Sequence, residues 1–361
     1  MDFRAKTKHY LGSKKKGRYS MKAKAIVFEN VGKVTLKTIT LPQPTPSDIL
    51  VETEVSGVSV GTERWALIGK RGEIKFPNIP GYMGIGHIIA VGKNAGRRGY
   101  RVGGRVNLGA SRLTAPLAGN SWMATHLSHA VVDVCNGVEW EPEGFNGHRC
   151  ETLPDGLDPL DASLCALAAV AQRGIEMAGV PAGAKVLVSG LGVIGQYAAQ
   201  ICRLKGAQVA VTDVVEARLD VARQLGADWV INLKKERLAD RAAEIAPKGF
   251  DIVIDTSSIP AVVNGLFPFL KLWGKFVFQG WYPPPSELDL NAFHMRLPTC
   301  FFPCGHSGRA VATAMRWVAA NRLATRPLIT HVVKPEEAPA IYKMLVAGSE
   351  KFLGVVFDWR K

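Results

Sequence analysis

The chemistry that can be read first is a cradle for a phosphate. Lys185-Val-Leu-Val-Ser-Gly190 has the pattern of a buried strand, and it runs into Gly190-Leu-Gly-Val-Ile-Gly195 and then a helical pattern. Strand, GxGxxG turn and helix in that order are the setting in which this motif binds a dinucleotide. Gly190 permits the tight turn, Gly192 lets the backbone approach a pyrophosphate, and Gly195 lets helix and strand pack closely. Val193 and Ile194 open the helix, whose N-terminus attracts phosphate charge. The next strand pattern, Gln208-Val-Ala-Val-Thr-Asp213, ends in a carboxylate 18 residues beyond Gly195. A carboxylate there accepts hydrogen bonds from the ribose hydroxyls of NAD and repels the 2′-phosphate of NADP, so NAD is the expected coenzyme. Arg218, one turn further, is within reach of the adenosine end. Thr256, Gln279 and Gly280 fall at the ends of later strands, the edge where such sheets bind ligands; each is either a coenzyme contact or a turn residue.

The elements that must position this cradle alternate: KVLVSG, a helix; QVAVTD, a helix; DWVINL, a helix in the 240s; FDIVIDT, a helix through Phe267–Leu272; and KFVFQG. That rhythm predicts an α/β fold with a Rossmann, doubly wound parallel sheet. Residues 21–156 read differently. Strand patterns at Lys24–Phe28, Val34–Thr38, Ile49–Ser56, His87–Val91 and Arg105–Leu108 are punctuated by Pro and Gly clusters, which predicts a compact β-rich domain. The domain organisation expected is a basic tail at 1–20, the β-rich domain at 21–156, the coenzyme domain at 157–315 and a strand–helix–strand at 316–361 that returns to the first domain.

The charge balance is a property of the tail. The net charge is +14, but residues 1–24 hold nine basic and one acidic side chain, which leaves +6 for the other 337. Like-charge blocks are usually solvated, and no aromatic platform accompanies this one, so nucleic acid is not expected as a partner. No apolar run is long enough to span a bilayer and no signal sequence follows the basic start, so a cytoplasmic protein without integral membrane contact is expected. The six cysteines (135, 150, 165, 202, 300 and 304) are scattered without a CxxC, which suggests reduced thiols. Cys300, Cys304 and His306 have suitable atoms for a metal but no fourth ligand in view.

GVSVGTE (57–63), PGYMGIGHIIAVG (80–92), LPDGL (153–157), GLGVIG with Asp213, and RQLGAD (223–228) together resemble the medium-chain dehydrogenase/reductase superfamily over residues 21–361. The resemblance implies a GroES-like catalytic domain before the Rossmann domain, and a homodimer. Zinc-dependent members typically carry GICGTD and Gly-His-Glu. Here the matching runs hold Ser59 or Val60 at the cysteine's place and Tyr82-Met83 at the His-Glu. Cys165 lies near a further ligand position, and one thiolate cannot hold a catalytic zinc. The resemblance therefore implies fold and coenzyme and points to a zinc-less branch. GxSxGTE, Gly280-Trp-Tyr282, LITH (328–331) and the closing Asp358-Trp359 are most similar to the 3-hydroxyethyl bacteriochlorophyllide a dehydrogenases. That likeness implies oxidation of a secondary alcohol on a tetrapyrrole, with hydride passing to NAD.

Without zinc, a positioned group must handle the hydroxyl proton. Thr62 stands at the hydroxyl relay position of the matching pattern. Tyr82 offers a phenol for the substrate oxygen, or else fills the vacated metal space. Glu63 orients its neighbours, or else is a structural carboxylate paired with an arginine. Both Thr62 and Tyr82 are expected to face the nicotinamide, in a cleft between the domains. Histidines 87, 126, 129, 148, 294, 306 and 331 compete as bases, with His87 expected to be a packed side chain and His126 and His129 to lead toward the substrate. Trp281 and Tyr282 either wall the substrate pocket or pack in the core. Other readings of the same residues are a polyol or cyclitol dehydrogenase, a quinone-reductase-like double-bond reductase, and an NAD-binding protein without turnover.

Overall fold

A computed structural model describes residues 21–136, 150–348 and 352–361; His148 and the basic tail at 1–20 lie outside them. The chain forms two compact units. One comprises residues 21–166, 307–319 and 329–361 as far as they are described, the other residues 167–306 and 320–328.

The first unit is β-rich. Strands β1 (Lys22–Asn30) and β2 (Lys33–Thr40) form an antiparallel pair. Then come β3 (Asp48–Gly57), helix α1 (Val60–Leu67), β4 (Met83–Val91), α2 (Lys93–Arg97), β5 (Arg105–Asn107), β6 (His129–Asp133), β7 (Glu151–Thr152) and the short α3 (Pro159–Ala162). Helix α4 (Cys165–Ala178) leads out of this unit. The alternation of β1, with Ala23, Ala25 and Val27 buried between exposed Lys22 and Lys24, is the period-2 pattern of a strand with one wet face. The first helix was not legible as one, because GVSVGTE offers turn residues rather than an apolar stripe.

The second unit is a six-stranded parallel sheet. Its strands are β8 (Lys185–Ser189), β9 (Gln208–Asp213), β10 (Trp229–Asn232), β11 (Phe250–Asp255), β12 (Leu270–Phe278) and β13 (Thr299–Phe301), in the spatial order β10-β9-β8-β11-β12-β13. The connecting helices are α5 (Val193–Leu204), α6 (Glu216–Gln224), α7 (Leu238–Ile245), α8 (Pro260–Leu266) and α9 (Leu290–His294). This is the doubly wound order of a dinucleotide-binding sheet, with its switch point between β8 and β11. Val186, Leu187 and Val188 are fully buried, as both-face burial requires.

One expectation fails here. Residues 267–272 are not helical beyond a single 3-10 turn at Phe267–Phe269, and β12 begins at Leu270. Pairing with β11, across an irregularity between Phe250 and Ile252, overrides the local pattern.

The chain then adds α10 (Gly308–Ala319), β14 (Ile329–Val333), α11 (Ala338–Ala347) and β15 (Gly354–Asp358). The last two strands join the sheet of the first unit in the order β14-β15-β3-β4-β5-β7, with β6 also pairing β3. Among the described residues no helix is long and apolar enough to cross a membrane.

Candidate active site

The turn after β8 has the geometry of a pyrophosphate cradle. Gly190 sits at φ +85°, and a Cβ on Gly195 would lie 1.9 Å from the Gly190 carbonyl oxygen. Thr256, at the end of β11, closes the same turn by donating its hydroxyl to the Gly190 carbonyl at 2.7 Å. Gly192 is the N-cap of α5, and a Cβ there would meet nothing within 4 Å, so the backbone is bare where a phosphate approaches. Val193 and Ile194 form the first turn. Asp213 ends β9 almost buried: its carboxylate accepts from the Leu191 N–H at 2.7 Å and from the Val214 and Val215 N–H groups at 2.7 and 2.9 Å. One carboxylate thus ties the glycine turn to the end of the neighbouring strand. Arg218 lies 3.9 Å from it. The residues present fit a dinucleotide. Gln279 is turned inward, donating to the Val170 carbonyl at 3.0 Å, and Gly280 packs against Ser258. Tyr282 donates its hydroxyl to Asp255, whose carboxyl burial pushes above its ordinary range.

The second set of groups lies in the first unit, where β3 leads into α1. Tyr82 donates its phenol to Ser59 Oγ at 2.7 Å and also has a hydrogen bond with Thr62. Burial, followed by weaker opposing hydrogen bonds from Ser59 and Thr62, pushes the phenol up to about 12. At neutral pH Tyr82 is therefore a donor and not a base. Its ring is half-buried and lies 6.4 Å from that of Trp122, over which the Arg71 guanidinium sits at 5.8 Å. Met83 is 1% exposed and belongs to the core.

Behind Tyr82 is a buried polar cluster. Glu63 accepts from the Ser59 N–H at 2.8 Å, from the Tyr342 hydroxyl, and from His126 Nε2 at 3.0 Å. His126 Nδ1 lies 2.7 Å from Ser56 Oγ, which also accepts from the Trp359 indole at 2.9 Å. Glu63 is thus tied to a histidine and a tyrosine rather than an arginine, a correction with a physical reason: no arginine stem is needed where β3 and the segment before β6 bring the imidazole alongside. His126 is fully buried and cannot meet a substrate directly. His87 is not packed either; it is half-exposed on β4 and lies 3.2 Å from Glu52. Sequence reasoning missed Tyr342 and Ser56, for which spacing gave no signal.

The residues present do not fit a catalytic zinc. Ser59 and Tyr82 are spent on each other, Met83 points into the core, and the Cys165 thiol is buried against the Asp161 carbonyl. Among the described residues no group of three His, Cys, Asp or Glu side chains could hold a metal, the Cys300, Cys304 and His306 set included.

Residues 193–320 match the family of zinc-binding dehydrogenases. The L-threonine 3-dehydrogenase of Aeromonas salmonicida is 28% identical, across 94% of this chain and the whole of that enzyme. Over its length the chain is similar to dehydrogenases of this kind. Structures with this fold include the 2R,3R-butanediol dehydrogenase of Bacillus subtilis (TM-score 0.79, 18% identity, 93% of this chain and 99% of that one). A putative zinc-binding dehydrogenase of Sinorhizobium meliloti bound to NADP has a TM-score of 0.77 at 22% identity, again covering 93% and 99%. The similarity is to alcohol dehydrogenase-like oxidoreductases, and the bare glycine turn before α5 is the part of this chain suited to a nicotinamide dinucleotide.

Proposed function

We propose that the chain is an NAD-dependent dehydrogenase that oxidises a secondary alcohol to a ketone without a catalytic metal. The observation that carries this reading is the hydroxyl row at Thr62, Tyr82 and Ser59, with Tyr82 and Ser59 where the matching pattern has metal ligands and Thr62 at its relay position. A bound nicotinamide coenzyme supplies the hydride acceptor. Tyr82 turns its hydroxyl from Ser59 Oγ to the substrate oxygen as that oxygen gains negative character, and Thr62 passes the substrate's hydroxyl proton to solvent. Glu63 keeps Ser59 in place and does not touch substrate. The candidate substrate is the hydroxyethyl group of a bacteriochlorophyllide. Trp122, half-exposed beside Tyr82, with Arg71 over its ring, suits a flat acid of that kind. A small amino alcohol is the second reading, favoured by 28% identity to a threonine dehydrogenase across 94% of the chain.

The preference for NAD rests on Asp213. Replacing it by Asn keeps one acceptor for the ribose but removes the charge that repels a 2′-phosphate. Asp213→Asn is expected to lower the NAD-over-NADP ratio of kcat/KM by roughly tenfold or more, about 1.4 kcal/mol. An unchanged ratio would move the discrimination elsewhere, with Arg218 the next residue to replace.

We propose a homodimer formed through the open edge of the parallel sheet. The edge strand β13 and its surroundings leave Trp273 71%, Met295 73% and Phe302 64% exposed. Apolar groups at an open sheet edge favour a partner. Light scattering should give twice the chain mass, and Phe302→Lys should halve it; a monomeric wild type would remove the dimer.

A further inference from the structure

We propose that His126 is a positioning residue that sets the Tyr82 phenol for the substrate oxygen, from a site where it never meets substrate. The inference rests on the reading of Tyr82 given above. His126 reaches Tyr82 by two routes. The first is a hydrogen-bonded chain. Its Nε2 holds Glu63 Oε2, Glu63 Oε1 holds the Ser59 N–H, and Ser59 Oγ receives the phenol. Ser59 is the N-cap of α1, yet its hydroxyl makes no cap hydrogen bond. Glu63 binds the N-cap residue's own N–H, and the Ser59 hydroxyl, free of any cap bond, accepts from Tyr82.

The second route is steric. Gly81 precedes Tyr82, at φ +93°, and a Cβ there would lie 2.8 Å from the His126 ring and 2.7 Å from Thr125 Oγ1. The backbone N–H of His126 donates to the Pro80 carbonyl and that of Thr125 to the Gly81 carbonyl, each at 3.3 Å. The imidazole therefore lies under the backbone that carries Tyr82 while its Nε2 holds Glu63, the carboxylate that fixes the Ser59 N–H.

The tautomer follows from the partners. The Glu63 carboxylate can only accept, so the proton of the neutral imidazole sits on Nε2, and Ser56 Oγ, which accepts from the Trp359 indole, turns its own proton to Nδ1. Nδ1 then accepts, Nε2 carries the proton, and Glu63 receives three donors: Nε2–H, the Tyr342 hydroxyl and the Ser59 N–H. Ser56, Glu63, His126 and Tyr342 are all at most 2% exposed, so water does not substitute for a lost member. Phe357 packs edge-on against the imidazole with ring centroids 5.3 Å apart, which fixes its plane.

The test uses full-length protein labelled with 13Cζ-tyrosine, in which Tyr82→Phe identifies the Tyr82 resonance. His126→Gln retains an N–H near the position of Nε2, whereas His126→Asn places its amide near Nδ1 and releases Glu63. His126→Asn should shift the Tyr82 resonance and lower kcat with NAD and hydroxyethyl bacteriochlorophyllide by roughly 100-fold, leaving the coenzyme KM unchanged. His126→Gln should restore both. Should the Asn variant not fold, Ser56→Ala, which removes the partner of Nδ1 and of the Trp359 indole but leaves Glu63 in place, should move the same resonance. A Tyr82 resonance unmoved in the folded variants would overturn the proposal. A resonance that moves, in a protein where Tyr82→Phe turns over as fast as wild type, would instead overturn the reading of Tyr82 on which it rests.

Discussion

Gly195→Ala should abolish coenzyme binding at concentrations that saturate the wild type. The new Cβ would fall 1.9 Å from the Gly190 carbonyl oxygen and 2.9 Å from Thr256 Oγ1, far inside contact distance. Neither atom is the end of a flexible chain, since one is backbone and the other is fixed on that same carbonyl at 2.7 Å. The helix α5 must withdraw from β8, and its first N–H groups then leave the position from which they meet a pyrophosphate. A rise in Kd for NADH of about 100-fold or more is expected, which corresponds to about 2.7 kcal/mol. Gly192→Ala is the informative companion. A methyl there meets no protein atom, so melting should be unchanged while NADH binding weakens, because the methyl enters the space of the ligand. Calorimetric titration beside thermal melting separates the two cases. If Gly195→Ala bound NADH as tightly as wild type, the glycine turn would not be the cradle.

Glu63→Leu should be the most damaging single change in the first unit. It leaves the Ser59 N–H, the Tyr342 hydroxyl and the His126 Nε2–H without their acceptor, in a cluster where Glu63 itself is 2% exposed. A buried donor stripped of its partner costs about 1–3 kcal/mol, and breaking a buried polar pair about 3–5 kcal/mol. A loss of about 4 kcal/mol corresponds to a fall in melting temperature on the order of 10 °C for a unit of this size. Glu63→Gln keeps the shape and one acceptor, so its fall should be roughly half as large. A Leu variant that melts with the wild type would mean the cluster contributes nothing to stability.

The two halves of the candidate site differ in how far they could be read without coordinates. The coenzyme turn is local: Gly190, Gly192 and Gly195 lie within one turn of backbone, and Asp213 ends the next strand, so spacing alone carries the chemistry. Thr256 was placed correctly at a strand end, but its use, closing the glycine turn, needs β8 and β11 to be neighbours, and that is a fact of strand order. The cluster behind Tyr82 is the opposite case. Ser56, Glu63, His126, Tyr342 and Trp359 come from four separated stretches, assembled when β15 pairs with β3 and α11 packs its apolar face. No periodicity links residues 279 positions apart, as Glu63 and Tyr342 are. That is why Glu63 could be singled out while its partner was misassigned. Likewise the apolar run before Gly274 carries no clear period, and the choice between helix and strand was made by pairing with β11.

The most direct test of the central claim is turnover under chelation. Purified protein, freed of metal by a strong chelator and verified by elemental analysis, is mixed with NAD and hydroxyethyl bacteriochlorophyllide, with L-threonine and 2,3-butanediol in parallel. NADH and the long-wavelength chlorin band are followed together. NADH formation at an undiminished rate, lost in Tyr82→Phe, is the predicted result, and the alcohol that supports it names the substrate. Activity that disappears with the metal and returns with added zinc would contradict metal-independent chemistry at Tyr82 and Thr62, while leaving the fold and the coenzyme cradle as described.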